Sequence, residues 1–445
     1  MVKQDGLVDK LVVTADGSGQ VGHAGSALLV GAADRVGLTA ALSEAMAPTR
    51  ERRSAHDPGI VLRDLVVCLA DGGDCLSDIG ALRDQPDLFG RVASDSTAFR
   101  VIDSIDAQSL ERLRTAVAGA RARAWGLGAR PERIVLDVDA TLISAHSDKE
   151  HAKGNFKGGY GHHPLLCYLD GTGEAPAGLL RAGNAGSNTA ADHTAVLELA
   201  LGQLDPVALD GEILVRADGA GATHELVQWC REARIAFSVG FDLTECVREA
   251  IAAVPQSAWE RAIRPDGTER ERSQVAEITD RVDLAGWPER SRLIARRTEL
   301  REGDQQSFGD HDGYRLAVFL TDQPGEHIPT LDLCHRGHAR VEDHIREGKD
   351  CGLSNLPFRS FAHNQVWLFL VMAAQDLIAW TKELCLTDQA RAWELKRLRY
   401  RLLHQSARIA RHARRTILRL ARDWPWSGEL AAAFARLKAL PAPGG

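Results

Sequence analysis

The chain has 445 residues, enough for two or three domains, and with 44% hydrophobic and 26% charged residues it is not a disordered chain. Its formal net charge of −7 excludes a surface that binds nucleic acid everywhere. The charge is uneven: from Thr381 onward 14 Lys and Arg stand against 5 Asp and Glu, so an acidic body carries a basic tail suited to one polyanion contact.

No apolar run reaches the roughly eighteen residues of a membrane span, and the start lacks the pattern of a secretory leader, so a cytoplasmic protein without membrane contact is expected. The eight cysteines include no CxxC pair and read as reduced, small buried residues rather than a zinc site.

Residues 1–128 read as a helical region for DNA binding or dimerisation. Ile60-Val-Leu-Arg-Asp-Leu-Val-Val-Cys-Leu-Ala repeats its apolar positions at helical spacing, and Ser94-Asp-Ser-Thr opens a further helix with Phe99 and Ile102 on one face. A helix–turn–helix and a plain packing module both fit this stretch. Past Pro131 the period changes to two. Arg133-Ile-Val-Leu-Asp-Val-Asp, Pro164-Leu-Leu-Cys-Tyr-Leu and Ala177-Gly-Leu-Leu predict three strands, followed by a helix over 188–204, a strand at Glu212 to Asp218, a helix over 223–234 and a strand from Ile235. Residues 129–241 and 329–382 are thus expected to form the two parts of an α/β domain, a mixed sheet with flanking helices. A β-rich insertion over 242–328 separates them, and a basic helical region over 383–445 follows.

Carboxylates at strand ends are the chemical signal. Asp137 and Asp139 lie two apart on one strand and leave the same face. Asp218 ends another apolar strand before Gly-Ala-Gly, and Glu342 sits on a helix whose buried stripe is Val341 and Ile345. Acidic groups at such places are costly to desolvate unless they hold a cation. Three of them at one point would hold two Mg²⁺ ions suited to phosphodiester chemistry. The bland readings are turn-capping aspartates and a solvent ion pair of Glu342 with Arg346. His162 and His163 read as turn residues before Pro164. Trp259 and Trp287 read as insertion core, with base stacking as the alternative. Arg408, Arg411, Arg415, Arg419 and Arg422, spaced 3, 4, 4 and 3, predict one arginine face of a helix that contacts phosphates.

These carboxylate motifs occur in order with Tyr160-Gly-His-His-Pro-Leu-Leu, Arg181-Ala-Gly-Asn-Ala-Gly-Ser-Asn-Thr, Arg399-Tyr-Arg-Leu-Leu-His and Asp423-Trp-Pro-Trp. Together they resemble the bacterial insertion-sequence DDE transposases, in the branch with a β-rich insertion before the catalytic glutamate. The resemblance implies a ribonuclease-H-like core and a cytoplasmic enzyme that cuts at the element's terminal inverted repeats and joins the 3′-OH ends to target DNA. It implies two Mg²⁺ ions, with Mn²⁺ able to substitute, double-stranded DNA as partner, and a homodimer in the DNA complex.

The catalytic and metal-holding residues then fall on Asp139, Asp218 and Glu342, with Asp137 and Lys349 supporting them; the sequence leaves open a swap of Asp137 for Asp139. Where the family has Tyr and Arg before the glutamate, this chain has His335 and His338. Arg336, Arg340 and Arg346, with Lys349, are the nearby candidates for a phosphate clamp. Asp137-Val-Asp-Ala-Thr also matches the nucleophile strand of haloacid-dehalogenase-like phosphatases, with Gly303 to Asp310 as the nearest candidate for their second acidic strand. A DNA-binding protein without catalysis is the third reading.

Overall fold

The computed structural model describes residues 11–50, 54–145, 148–186, 188–205, 211–301, 303–305, 310–325, 327–413 and 415–443. The segment Ile134–Ala140 is its central strand, with Ile134 to Val138 buried in an unbroken run. The helices Ala190–Leu201 and Arg340–Gly348 both pack against it, which is why this strand is apolar along its length apart from its aspartates. Leu165–Leu169 pairs with it antiparallel and Ile213–Ala217 parallel, Leu136 standing opposite Leu169 on one side and Val215 on the other. Ala177–Leu179 adds to the first neighbour and Ala236–Phe241, again parallel, to the second. Three antiparallel strands followed by two parallel ones, with Ala190–Leu201 and His224–Glu232 as the crossovers, make the expected mixed sheet with flanking helices.

The β-rich block grows out of this sheet. Tyr314–Thr321 pairs antiparallel with Ala236–Phe241, and Arg292–Glu299, Glu269–Glu277 and Glu260–Ile263 follow outward. With Asp310–His311 they complete a ten-stranded sheet among the described residues. The inserted chain thereby covers the edge that Ala236–Phe241 would otherwise leave with unpaired amides. Trp259 is buried here under the Arg297 guanidinium, 4.1 Å away, and Trp287 stacks on His224 at 4.0 Å. Both rings are used in packing.

Most of the remaining helices gather around Phe361–Cys385. Pro58–Asp71 lies along it, started by Asp57, whose carboxylate accepts from the Gly59 and Ile60 amides, and ended by Gly72 at φ 118°. Every residue of Pro58–Asp71 except Ile60 is buried, so this helix has no face left for a DNA groove; its role is packing. Ser94 caps Asp95–Asp103 as expected, with Ile102 buried, while Phe99 is half-open beside Phe358 and His363.

The basic tail departs from the helical expectation. Ala407–His412 and Arg415–Leu420 are strands of a hairpin, and Gln20–Val21 pairs with the first to make a three-stranded sheet. Helix returns only at Ser427–Ala439. Ala407, Ile409, Leu418 and Leu420 fall on one face of the hairpin and close over Val21, Ala24 and Leu88. That apolar period of two, with β-branched Ile409, Thr416 and Ile417, outweighs the helical spacing of the arginines.

Candidate active site

The strand Ile134–Ala140 carries Asp137 into the interior and Asp139 to its open end. Asp137 is fully buried, and in register beside it on the parallel neighbour stands Arg216. Arg216 donates to both carboxylate oxygens at 2.8 and 2.6 Å, and His338 Nδ1 lies 2.8 Å from one of them. Arg216 also reaches Asp170 at 2.8 Å and the Cys334 carbonyl at 2.6 Å. Asp170 in turn receives both arms of Arg340 at 2.6 and 2.5 Å. This chain of charges ties the two helical segments Ile328–Arg336 and Arg340–Gly348 to the sheet at His338 and Arg340, immediately before Glu342.

Asp139 is left free for other work. Its Oδ1 accepts the Ala140 amide at 2.7 Å. Burial, and after it the like charges of Asp218 and Glu342, push its carboxyl up to about 6 despite that hydrogen bond. Asp218 closes the strand Ile213–Ala217 and is exposed; its Oδ1 caps the turn Gly219–Gly221 through the Ala220 amide at 2.9 Å. Gly240 makes room for that turn, since a Cβ there would lie 2.6 Å from the Gly219 nitrogen. Glu342 is exposed in the first turn of its helix, whose buried stripe is Val341, Ile345 and Gly348. Arg346 turns to Asp343 at 2.8 Å and Glu394 at 3.7 Å rather than to Glu342.

Asp139, with the charges of Asp218 and Glu342 acting on it, belongs to an all-oxygen donor set of the kind that fits hard divalent cations. Among the described residues, ligand atoms gather within 4.8 Å only at His23, Asp71 and His404 and at Asp74, Cys75 and Asp78. Asp139, Asp218 and Glu342 are not drawn together that closely in the chain by itself.

The arginines nearest Glu342 are not an open clamp. Arg336 binds Asp332 at 2.7 Å and the Ile263 carbonyl at 2.5 Å, and Arg340 is spent on Asp170. Asp332 and Asp170 thus engage two of the arginines expected at a phosphate clamp, while Arg346 keeps only surface partners. His335 lies flat on Phe319, 4.3 Å between centroids, with Ser238 Oγ 2.9 Å from its Nδ1. Burial of its ring pulls its basicity down to about 3, so it is neutral. Lys349 is half-buried where the helix gives way to the wide turn Lys349–Leu353.

The five tail arginines do not share a helix face. Arg408, Arg415 and Arg419 leave the outer face of the hairpin, Arg408 directly opposite Arg419, and all three are exposed. Arg411 leaves the other face and pairs with Asp87; Arg422 is exposed just past the second strand.

A family model described as transposase DDE domain group 1 matches residues 4–442. The chain belongs to this family of DDE transposases. No curated protein sequence matches the transposase. Among solved structures it is similar to a piggyBac transposase synaptic complex with hairpin DNA, at 12% identity and a TM-score of 0.40, covering 85% of this chain and 80% of that one. As a DDE transposase it is a DNA-binding enzyme of strand cleavage and strand transfer, and enzymes of this kind use divalent metal ions. None of its described helices is long and apolar enough to cross a membrane.

The phosphatase reading falls with this assignment. The transposase's Asp137 has no open oxygen to act as a nucleophile, and Asp310 is engaged with Arg315 at 3.0 Å. The residues 306–309 of that rival motif lie outside the described residues. Sequence reading missed Arg216 and Asp170. The available signal was an arginine in the otherwise apolar strand Ile213–Ala217, which had to find a buried countercharge.

Proposed function

We propose that Asp139, Asp218 and Glu342 of this transposase hold two Mg²⁺ ions and that it cuts at the terminal inverted repeats of an insertion sequence. The freed 3′-OH ends are then joined to target DNA. The observation that carries the reading is that Asp139 and Asp218 follow the paired residues Val138 and Ala217 at the ends of neighbouring parallel strands, while Asp137 is consumed by Arg216 and His338. An all-oxygen donor set favours Mg²⁺, with Mn²⁺ as a substitute. When bound, such ions lower the pKa of an attacking water or hydroxyl and offset the charge on the leaving oxygen.

The chain's own residues do the positioning. Asp218 is fixed by the turn it caps, and His338 and Arg340 hold the helix that presents Glu342. Lys349 is proposed to meet phosphate near the cut, and Arg408, Arg415, Arg419 and Arg422 to follow the DNA backbone farther out. A two-fold homodimer would bring two element ends together, in the cytoplasm where the DNA is.

The test is cleavage of DNA carrying the element's ends in Mg²⁺, in Mn²⁺ and in EDTA. Glu342→Gln and Asp139→Asn should abolish nicking while leaving DNA binding and folding nearly intact, and Asp343→Asn should cost little. Normal cleavage by Glu342→Gln would remove Glu342 from the site.

A further inference from the structure

Beside the short helix Leu395–Leu398 and the turn Arg399–Leu403 that follows it lies an open cleft of about 510 Å³. Sites for small organic ligands span about 300–1,000 Å³, so the volume suits one nucleotide. Tyr400 and Trp424 line the cleft, their rings edge to face with centroids 5.4 Å apart. The wall is stiff. Trp426 stands 5.1 Å behind Trp424, the Arg401 guanidinium sits between Trp426 and Trp393 at 4.5 and 4.6 Å, and Trp424 Nε1 donates to the Arg401 carbonyl at 2.9 Å.

Within this fixed aromatic wall Tyr400 stays 62% exposed, so its ring is open to a ligand in the cleft. The surroundings are cationic. Lys396, paired with Asp350 at 3.2 Å, and Arg399 line the cleft, and Ser406 and Ala421, also in its lining, are the residues that lead into and out of the arginine hairpin. Arg408 and Arg419, paired across the hairpin, lie two residues along the chain from Ser406 and Ala421.

We infer that this cleft receives one unpaired nucleobase of the bound DNA, stacked on Tyr400, while the phosphates next to it run onto the outer face of the hairpin. A base within a duplex has both faces covered by its neighbours, so only a flipped or single-stranded one can lie on the ring. The inference rests on the proposed phosphate contacts of the hairpin and adds the chemical form of DNA that this end of the molecule selects. Stacking tolerates any base, so the cleft reads strandedness and leaves sequence to other contacts.

The experiment compares the full-length protein on a blunt duplex and on the same duplex with a short single-stranded extension containing 2-aminopurine. Wild type should bind the extended duplex more tightly and change the probe's fluorescence. Tyr400→Ala should lose about tenfold in affinity on the extended duplex and nothing on the blunt one. Tyr400→Phe, which keeps the ring, should behave as wild type. Equal affinity of wild type for both DNAs, or an unchanged extended-duplex affinity in Tyr400→Ala, would overturn the base site. Arg419→Gln separates the two readings, because loss of affinity for both DNAs would leave the hairpin contact standing. A wild-type protein that binds neither DNA would overturn both.

Discussion

Both oxygens of Asp137 are taken by Arg216 and His338, so Asp137→Asn removes the main countercharge of a guanidinium only 2% exposed. Breaking a buried pair from one side costs about 3–5 kcal/mol, and denaturant unfolding should show a loss near the lower end, since the amide still accepts one bond. Asp139→Asn should act in the opposite direction. Its carboxyl ordinarily titrates at 3.8 and is pushed up to about 6 in the fold, so the folded state binds the proton more tightly. Without metal, this contribution to stability is fully present below about pH 3.8 and is lost as the pH rises through about 6. Near pH 7 the asparagine variant should therefore be more stable, by on the order of 1–2 kcal/mol. Added Mg²⁺ should raise the melting temperature of wild type and do so much less for Asp139→Asn, which calorimetry at neutral pH would measure.

The hairpin Ala407–His412 and Arg415–Leu420 places like charges where a sheet suffers from them. Arg408 faces Arg419 directly across the ladder, an arrangement that costs roughly 0.2–1 kcal/mol in the absence of an anion. Arg408→Gln or Arg419→Gln should leave the free protein as stable or slightly more so. On DNA, each should weaken binding to all sequences alike and flatten the slope of log K against log salt by about 0.9. Arg411→Gln is the internal control. Its side chain leaves the opposite face toward Asp87, so its removal should alter the salt slope little. A salt titration of the three variants on one duplex decides between a working arginine face and ordinary charged surface.

Across the whole molecule, one buried cluster joins regions far apart in the chain. Arg121, from the helix Ala107–Ala124, pairs with Glu174 at 3.2 Å and with Asp376 of Phe361–Cys385, and Trp125 and Trp380 both donate to Glu174. Burial pushes the Asp376 carboxyl up to about 6 even beside Arg121, a sign of how dry the cluster is. The N-terminal helices, the sheet and the long helix also share one apolar core. Arg121→Ala strands two carboxylates in that core and should cost about 3–5 kcal/mol. The loss should appear as a downward shift of the entire unfolding transition, the same by circular dichroism and by tryptophan fluorescence, rather than as early melting of one segment.

The local periods in the chain were enough to place the five strands of the mixed sheet, the crossover helices and the carboxylates at strand ends. The buried stripe of Val341 and Ile345 also fixed which face of its helix Glu342 takes, because a helix repeats every 3.6 residues wherever it packs. What local pattern could not decide was where charges find partners. Asp137 and Asp139 are equivalent by position on their strand, and only the parallel neighbour, in register at Arg216, turned one into an anchor and left the other free. Arg336 and Arg340 look available in sequence; Asp332 and Asp170, brought close by folding, use them up. The arginine tail fits a helix by spacing, and became a hairpin because Val21, Ala24 and Leu88 arrive from the other end of the chain to cover Ile409, Leu418 and Leu420. Periodicity is a property of a segment and can be read from it, whereas the partner of a buried charge or an apolar face is supplied by tertiary contact alone.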